Sequence, residues 1–530
     1  MTEIVTRSED EAHCPADHHA DVVIVGAGNA ALCAALAARD RGASVLVLEA
    51  APKPEAGGNS TYTAGAMRVV YNGVDDVKSL VPDLGEAEIK NTDFGQYSED
   101  DFFDDMFRVT AFRTDPDLCE ALVRKSLPTL QWMRRQGVRF QTSHGRQAHK
   151  VNGRFRFWGG LVCEVWGGGP GLVDMLSDAA RGKGIEILYQ TLATDLIVTD
   201  GRVRGVRATR DGKDLVIGAQ AVILACGGFE SNAEMRARYL GQNWDLAKVR
   251  GTRFNMGLGH AMALSAGARP AGHWSGAHAV AWDQNAPEYG DLAVGDAFQK
   301  HSYPFGIVVN AHGKRFIDEG ADFRNYTYAK YGREILEQPG QFAWQVFDGK
   351  VAHMLRDEYR IREVTRVEAG SLQELAQKLE GVDPKGFLHT VETFNQAILQ
   401  DRPFDPTVKD GRAAMGLEVQ KSNWANPIDT PPFEAYAVTC GVTFTFGGLK
   451  ITPDAEVEHL TGTPIPGLFA AGEIVGGLFY NNYPGGTGLT SGAVFGKIAG
   501  ESAAAHVQTA QSAGESGTTA RPARPATIRG

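Results

Sequence analysis

The stretch DVVIVGAGNAALCAALAARDRGASVLVLEA, residues 21–50, decides the fold. Val22 to Val25 are four apolar β-formers running into glycines, the mark of a fully buried strand. NAALCAALAARDRG then repeats apolar residues at helical spacing, with an alanine-rich face thin enough to pack closely on a sheet. ASVLVLEA reads as the next buried strand. Strand, helix and strand in this order form a β-α-β unit, which builds a parallel sheet flanked by helices.

The turn inside this unit, GAGNAA, has the spacing G-x-G-x-x-A at Gly26, Gly28 and Ala31. The first glycine makes the tight turn, the second lets a pyrophosphate touch the backbone, and the small third residue lets helix and strand pack closely. The phosphates would rest on the helix N-terminus, at Asn29 and Ala30. Glu49 ends the second strand with Ala50 beside it, about twenty residues on, where a carboxylate binds ribose hydroxyls. The unit predicts a Rossmann-like dinucleotide-binding domain.

The 530 residues predict two to four domains, or one large domain with an insertion. Hydrophobic residues are 43% and charged residues 22%, normal for a globular chain with a full core. The net charge of -11 argues against nucleic acid as main partner, since phosphate-binding surfaces need clustered basic charge. Six cysteines (Cys14, Cys33, Cys119, Cys163, Cys226, Cys440) show no metal or haem spacing and read as small buried hydrophobes. The polar N-terminus has no apolar leader, and no run approaches the roughly 18 apolar residues of a membrane span. A soluble, cytoplasmic protein is expected, with no transmembrane segment and no metal site.

Residues 1–20 and 507–530 read as flexible tails, polar at one end and rich in Ser, Gly, Thr and Pro at the other. Further strand candidates are 185–191, followed by Ala193; 221–228, which includes Ala225, Cys226 and Gly227; and 467–473. Their wide separation predicts one FAD-binding domain in two segments, 21–275 and 441–506. An α+β capping domain, 276–440, is inserted between them. Two amphipathic helices in the insertion have N-caps at Ser371 and Asp383. No internal repeat is found. Three more glycine clusters follow the fingerprint. One is GGNSTYTAGAMR, with Gly57, Gly58, Asn59, Ser60 and Gly65. The others are IPGLFAAGE, ending in Gly472 and Glu473, and GLFYNNYPGGTGLTSGAV, residues 477–494. So many glycines imply a backbone lying close against one elongated ligand.

DVVIVGAGNAA, GGNS, ILACGGF, GKRFIDE, GLFAAGE and PGGTGL occur in the order found in flavoproteins of the fumarate reductase and succinate dehydrogenase class. The resemblance covers nearly all of residues 20–503. Within the class, GGNSTYTAG, KHSYPFG, DEGADFRNYTYAKYG, TFTFGGLKI and GLFYNNYPGGTGLTSGAVFG look most like tricarballylate dehydrogenases. Those enzymes oxidise a tricarboxylate to cis-aconitate and pass electrons to a separate membrane-associated partner. The resemblance implies FAD, held without a covalent bond because the GGNS loop lacks the attaching histidine. It implies a cap hinged near 276 and 440, and flavin contacts from the backbone of Gly488, Leu489 and Thr490, with a helix beginning near Thr490.

Carried over residue by residue, the resemblance puts Tyr483 and Phe444 where relatives hold substrate with arginine and histidine. They inherit the location without the chemistry. A tyrosine before Pro-Gly also resembles the 3-ketosteroid dehydrogenases, where its hydroxyl polarises a ketone. Arg324 follows RFIDEG one residue later than the proton-handling arginine of the class. The class's acid–arginine relay falls near Gln299 and Ser302, so Lys300, His301 and Tyr303 are its replacement candidates, and His278 matches a substrate histidine. Arg324, His301, Tyr303 and Tyr483 are thus the expected catalytic residues, and Arg68, His278, Lys300 and Phe444 the expected substrate contacts. Arg68, Lys300, His301 and Arg324 would supply a local basic pocket. The expected reaction is desaturation of a CH–CH bond beside a carboxylate, with tricarballylate as the type substrate. A ketosteroid-type dehydrogenase, or a reductase of another unsaturated acid, is the alternative. A non-catalytic electron-transfer flavoprotein is the third reading.

Overall fold

A computed structural model of the chain describes residues 16–157 and 160–517. The expected tail segments 1–15 and 518–530, with Cys14, lie outside the described residues. The first strand, His18–Val25, begins three residues before the predicted domain boundary. It lies between Val45–Leu48 and Lys213–Leu224, parallel to both, with Val22–Val25 opposite Val45–Leu48 and Ala221–Leu224. Glu186–Leu188 extends the sheet beyond Val45–Leu48, and Pro464–Ala470 joins Lys213–Leu224 in parallel. Strands nearly 250 residues apart in sequence thus share one sheet.

The sheet is parallel only at its centre. Thr191–Thr199, Arg202–Arg210 and Lys213–Leu224 form an antiparallel meander at one edge. Its two turns are Asp200-Gly201 and Asp211-Gly212, all four residues at positive φ. Asp-Gly between strands is the signature of a tight hairpin, so this departure from a purely parallel sheet was visible in the sequence.

The helix Asn29–Asp40 packs its alanine face against the long helix Thr487–Gly517. Contact is close enough that a Cβ on Gly496 would lie 2.3 Å from the Ala30 carbonyl oxygen, and one on Gly500 2.2 Å from that of Ala34. Residues 507–517, expected to be a tail, therefore belong to this helix. Alanines at 503 and 504 and Val507 form a buried stripe on the core that carries it onward.

A second, six-stranded sheet is built on the strand Phe433–Leu449, whose partners include Pro270–Asp283, Phe342–Phe347 and Arg366–Ala369. The two predicted helices are Leu372–Lys378 and Pro384–Gln396. The Ser371 side chain accepts from Glu374 N–H, and that of Asp383 from Lys385 and Gly386 N–H. Positions 276 and 440 both fall inside the paired strands Pro270–Asp283 and Phe433–Leu449. Cys440 sits opposite Ala281 in an unbroken ladder, while residue 276 lies in a break of register between His273 and Ala277.

Candidate active site

One elongated cavity runs between the two sheets, and most of the predicted residues line it. At one end its walls are backbone. Gly26 has φ 106°, and a Cβ there would lie 2.4 Å from the Ala225 carbonyl oxygen, so the first turn admits glycine alone. At Gly28 a Cβ would sit 3.2 Å from the Gly57 carbonyl oxygen and 3.4 Å from Ser60 Oγ. Ser60 Oγ accepts from Asn29 N–H at 3.0 Å, which folds the GGNS loop over the start of the first helix. The Glu49 carboxylate accepts from Ala27 and Ala51 N–H, each at 2.8 Å, and so ties the fingerprint turn to the end of the second strand. Burial pushes its carboxyl up, and these N–H groups pull it back.

Ala30, Ala50, Gly58, Asn59, Ala193, Ala225, Cys226, Gly227, Gly472, Glu473, Gly488 and Leu489 complete this end as expected. Ala31 is fully buried behind it, where its small side chain serves packing. Leu192, Met256 and Leu258, large apolar side chains about 40% exposed, also face the cavity. A bound group with a flat apolar ring would cover them. Backbone for phosphates, a carboxylate at the strand end and apolar side chains together fit FAD.

Two cofactor expectations need correction. Gly65 does not line the cavity; its φ of 75° and its contact with Gly168, whose Cα lies 2.9 Å from a would-be Cβ, serve loop packing. Thr490 does not line it either. The helix begins at Thr487, so Thr490 falls in its first turn, where its hydroxyl donates to the Arg68 carbonyl at 2.7 Å.

Beside Asn59 two buried carboxylates meet. Glu230 Oε1 accepts from Asn59 Nδ2 and Asn255 Nδ2, and Glu473 Oε1 accepts from Thr445 N–H. Among the described residues, only Glu473 is placed to donate to Glu230 Oε2. Burial, and then the Glu230 charge, hold the Glu473 carboxyl well above the usual range, which favours a proton shared by the pair.

At the other end the walls are side chains. His278, His301, Arg324, Phe444 and Tyr483 line it as predicted. The Tyr483 hydroxyl shares a 2.7 Å hydrogen bond with that of Tyr328, whose ring meets His278 and His301 edge to face. Both imidazoles are buried with Nε2 lacking a hydrogen-bond partner among the described residues. Both are held well below the usual histidine range. Burial is the first cause in each; the next is the Arg250 charge for His278 and the Arg324 charge for His301. Burial, and then Arg356, draw the Arg324 guanidinium down to about 9.

Three expected site residues lie behind this wall. Lys300 is fully buried; its Nζ donates to the carbonyls of Ala297 and Phe298 at 3.1 Å and stands 3.8 Å from buried Asp283. Arg68 is fully buried between the rings of Tyr97 and Tyr326, with Nε donating to the Gly485 carbonyl at 2.9 Å. It props the Gly485–Gly486 turn from the side away from the cavity. The Tyr303 hydroxyl is bonded to Thr327 Oγ1 at 2.6 Å within the core. Lys300 and Tyr303 have their polar atoms engaged by protein, and Arg68, whose buried Nη2 has no hydrogen-bond partner among the described residues, does not line the cavity either.

Arg146, Arg250, Asp296 and Tyr328 line the site without having been predicted. Arg250 Nε donates to Asp296 Oδ1 at 2.8 Å, and Arg146 reaches in from a short helix before the hairpin 148–157. Tyr328 stood within the quoted segment NYTYAKYG and could have been found there; Arg146 and Arg250 carried no sequence signal.

Residues 21–489 match the FAD binding domain family. The chain is 30% identical over 502 residues to probable fumarate reductase Ifc3 of Shewanella frigidimarina, spanning 92% of this chain and 75% of that protein. It is 28% identical over 570 residues to 3-oxosteroid 1-dehydrogenase of Mycolicibacterium smegmatis, spanning 90% of this chain and 96% of that one. The solved open conformation of a flavocytochrome c3 fumarate reductase matches with a TM-score of 0.68 at 27% identity, covering 93% of this chain and 79% of that one. The chain belongs to the FAD binding domain family within the fumarate reductase and succinate dehydrogenase flavoproteins, and is an FAD-dependent oxidoreductase acting on carbon–carbon bonds.

Proposed function

We propose that the protein interconverts CH–CH and C=C next to a carboxylate of a small-molecule substrate. The observation that carries this reading is the meeting, in one cavity, of the FAD cradle with the guanidiniums of Arg146, Arg250 and Arg324. Bound FAD supplies the two-electron step, taking a hydride from one carbon in desaturation and returning it in reduction. Arg324 and Arg146 hold the carboxylate and stabilise the enolate-like charge that builds up on the adjacent carbon. Two groups can hold the moving proton: Nε2 of neutral His301, and Arg324, whose lowered affinity eases release. Tyr483, held well above the usual tyrosine range by burial and by Tyr328, stays protonated and donates a hydrogen bond. Domain closure over the substrate, with residues 276–440 as the cap, would exclude water.

One form of the reading, from the family resemblance, is desaturation of tricarballylate to cis-aconitate, with a separate protein taking the electrons. With Arg68 and Lys300 engaged elsewhere, that form has fewer cations than the sequence suggested. The buried Tyr328–Tyr483 hydroxyl pair favours a second reading, in which it polarises the carbonyl of an uncharged ketone. FAD is proposed to be held without a covalent bond, so acid should release it into the supernatant. No helix among the described residues is long and apolar enough to cross a membrane. The test is anaerobic mixing of holoenzyme with saturated carboxylates and with a 3-ketosteroid. Bleaching of the flavin by a carboxylate supports the proposal; bleaching by the ketone alone overturns it.

A further inference from the structure

The charge at the substrate end can be counted. Arg146, Arg250 and Arg324 line it, and Arg356 stands behind them with its guanidinium donating to the Arg146 carbonyl at 3.0 Å. Opposite them are Asp296, held by Arg250 and 3.9 Å from Arg146, Glu164, 3.7 Å from Arg146, and Glu358, 2.9 Å from Arg356. Among the described residues, four guanidiniums meet three carboxylates, an excess of one positive charge that suits a single carboxylate.

The rest of the wall is uncharged. His278 and His301 are neutral imidazoles, each with a buried Nε2 that no described residue satisfies. A second carboxylate brought against them would be buried without a cation, losing its hydration with no opposite charge to offset the loss. A neutral hydroxyl, carbonyl or ring nitrogen would satisfy the same atoms without that cost. Beside them Phe444 and Tyr483 lie nearly parallel, 10° apart, and His278 is tilted against Tyr483 with ring centroids at 4.8 Å. Both rings lie within 3.8 Å of where a Cβ on the cavity-lining Gly488 would be. Such a wall suits the face or edge of a flat apolar body.

From this we infer that the substrate carries one carboxylate on a flat, otherwise uncharged body, such as an aryl-substituted enoic acid or its saturated counterpart. The inference rests on the proposed carbon–carbon reaction and adds the charge and shape of what enters. In the reducing direction, reduced FAD would supply a hydride to the double-bond carbon farther from the carboxylate, and the π pair would move onto the carbon beside the carboxylate. A proton from the site adds to the carbon beside the carboxylate, and the double bond becomes single.

The test uses holoenzyme with its flavin reduced anaerobically by dithionite, then mixed with cinnamate, fumarate, cis-aconitate or 4-androstene-3,17-dione. Cinnamate should reoxidise the flavin at least about tenfold faster than either polycarboxylate, a difference of about 1.4 kcal/mol in the barrier. It should also raise the Tm of the oxidised holoenzyme more than they do at equal concentration, since a tighter ligand stabilises more. Faster reoxidation by fumarate or cis-aconitate overturns the single-carboxylate inference and leaves the proposed reaction standing. Reoxidation by the steroid ketone alone, or by none of the four, overturns both.

Discussion

The two ends of the cavity are built from different materials. The FAD end is backbone, contributed by glycine-rich turns from four separate parts of the chain, and its shape is fixed by where a Cβ cannot be. The substrate end is side chains on the second sheet and its connections, and its character is set by which polar atoms the protein has already engaged. A backbone site needs glycine at particular positions, so it shows in a sequence. A side-chain site depends on which way each residue faces, and a lysine in the wall reads the same as one behind it.

The sharpest break of this contrast would come at Gly28. Valine there would push its branches into the space between the fingerprint turn and the Gly57–Ser60 loop, so Gly28→Val should purify colourless. Full flavin absorbance in the folded variant would show that this end is not set by backbone contact. The next largest effect should fall at Lys300, which supports the wall without facing the cavity. Lys300→Met strands the buried Asp283 carboxylate and should cost about 3–5 kcal/mol in urea unfolding. Its folded fraction should keep nearly normal kcat/KM; a hundredfold loss with stability intact would return Lys300 to the site.

What the sequence revealed follows the same division. Gly26, Gly28 and Glu49 stood out by spacing and strand context, Gly57 and Gly472 by the glycine clusters around them and Gly488 through the family resemblance, and all six line the cavity. Arg68 and Lys300 were misassigned because a cation near a motif was read as facing the ligand. The structure instead aims them at the Gly485 carbonyl and at the carbonyls of Ala297 and Phe298. Arg250 and Arg146 were missed because they come from segments with no motif, brought in by the strand pairing of the second sheet and by the hairpin after Arg146. The C-terminal helix was lost to composition: Ser, Gly and Thr near 510–517 suggested a tail, while the buried Ala503, Ala504 and Val507 stripe keeps them helical.

A smaller effect should mark the boundary between the two ends, at Glu473. Its folded carboxyl titrates above its unfolded value. The stability it gives is therefore complete below the unfolded pKa, about 4.3, and is lost as pH rises toward the folded value. Glu473→Gln can donate to Glu230 and accept from Thr445 without needing a proton. The variant should match wild type near pH 4 and gain on it above that, by up to about 1.4 kcal/mol per pH unit. Thermal unfolding across pH 4–8 reads this directly, and a variant that loses ground as pH rises would show that Glu473 is ionised in the fold.

The central claim, that the substrate end is organised around a carboxylate, is tested most directly by comparing Arg324→Lys with Tyr483→Phe. The measurement is kcat/KM on whichever compound reduces or reoxidises the flavin, with FAD content checked first. A planar guanidinium gives a carboxylate a paired contact that lysine does not copy, so Arg324→Lys should lose about a hundredfold or more. Tyr483→Phe removes one neutral hydrogen bond, worth about 0.5–1.5 kcal/mol, and should lose about tenfold at most. A larger loss in Tyr483→Phe than in Arg324→Lys would contradict the claim and assign the site to an uncharged ketone.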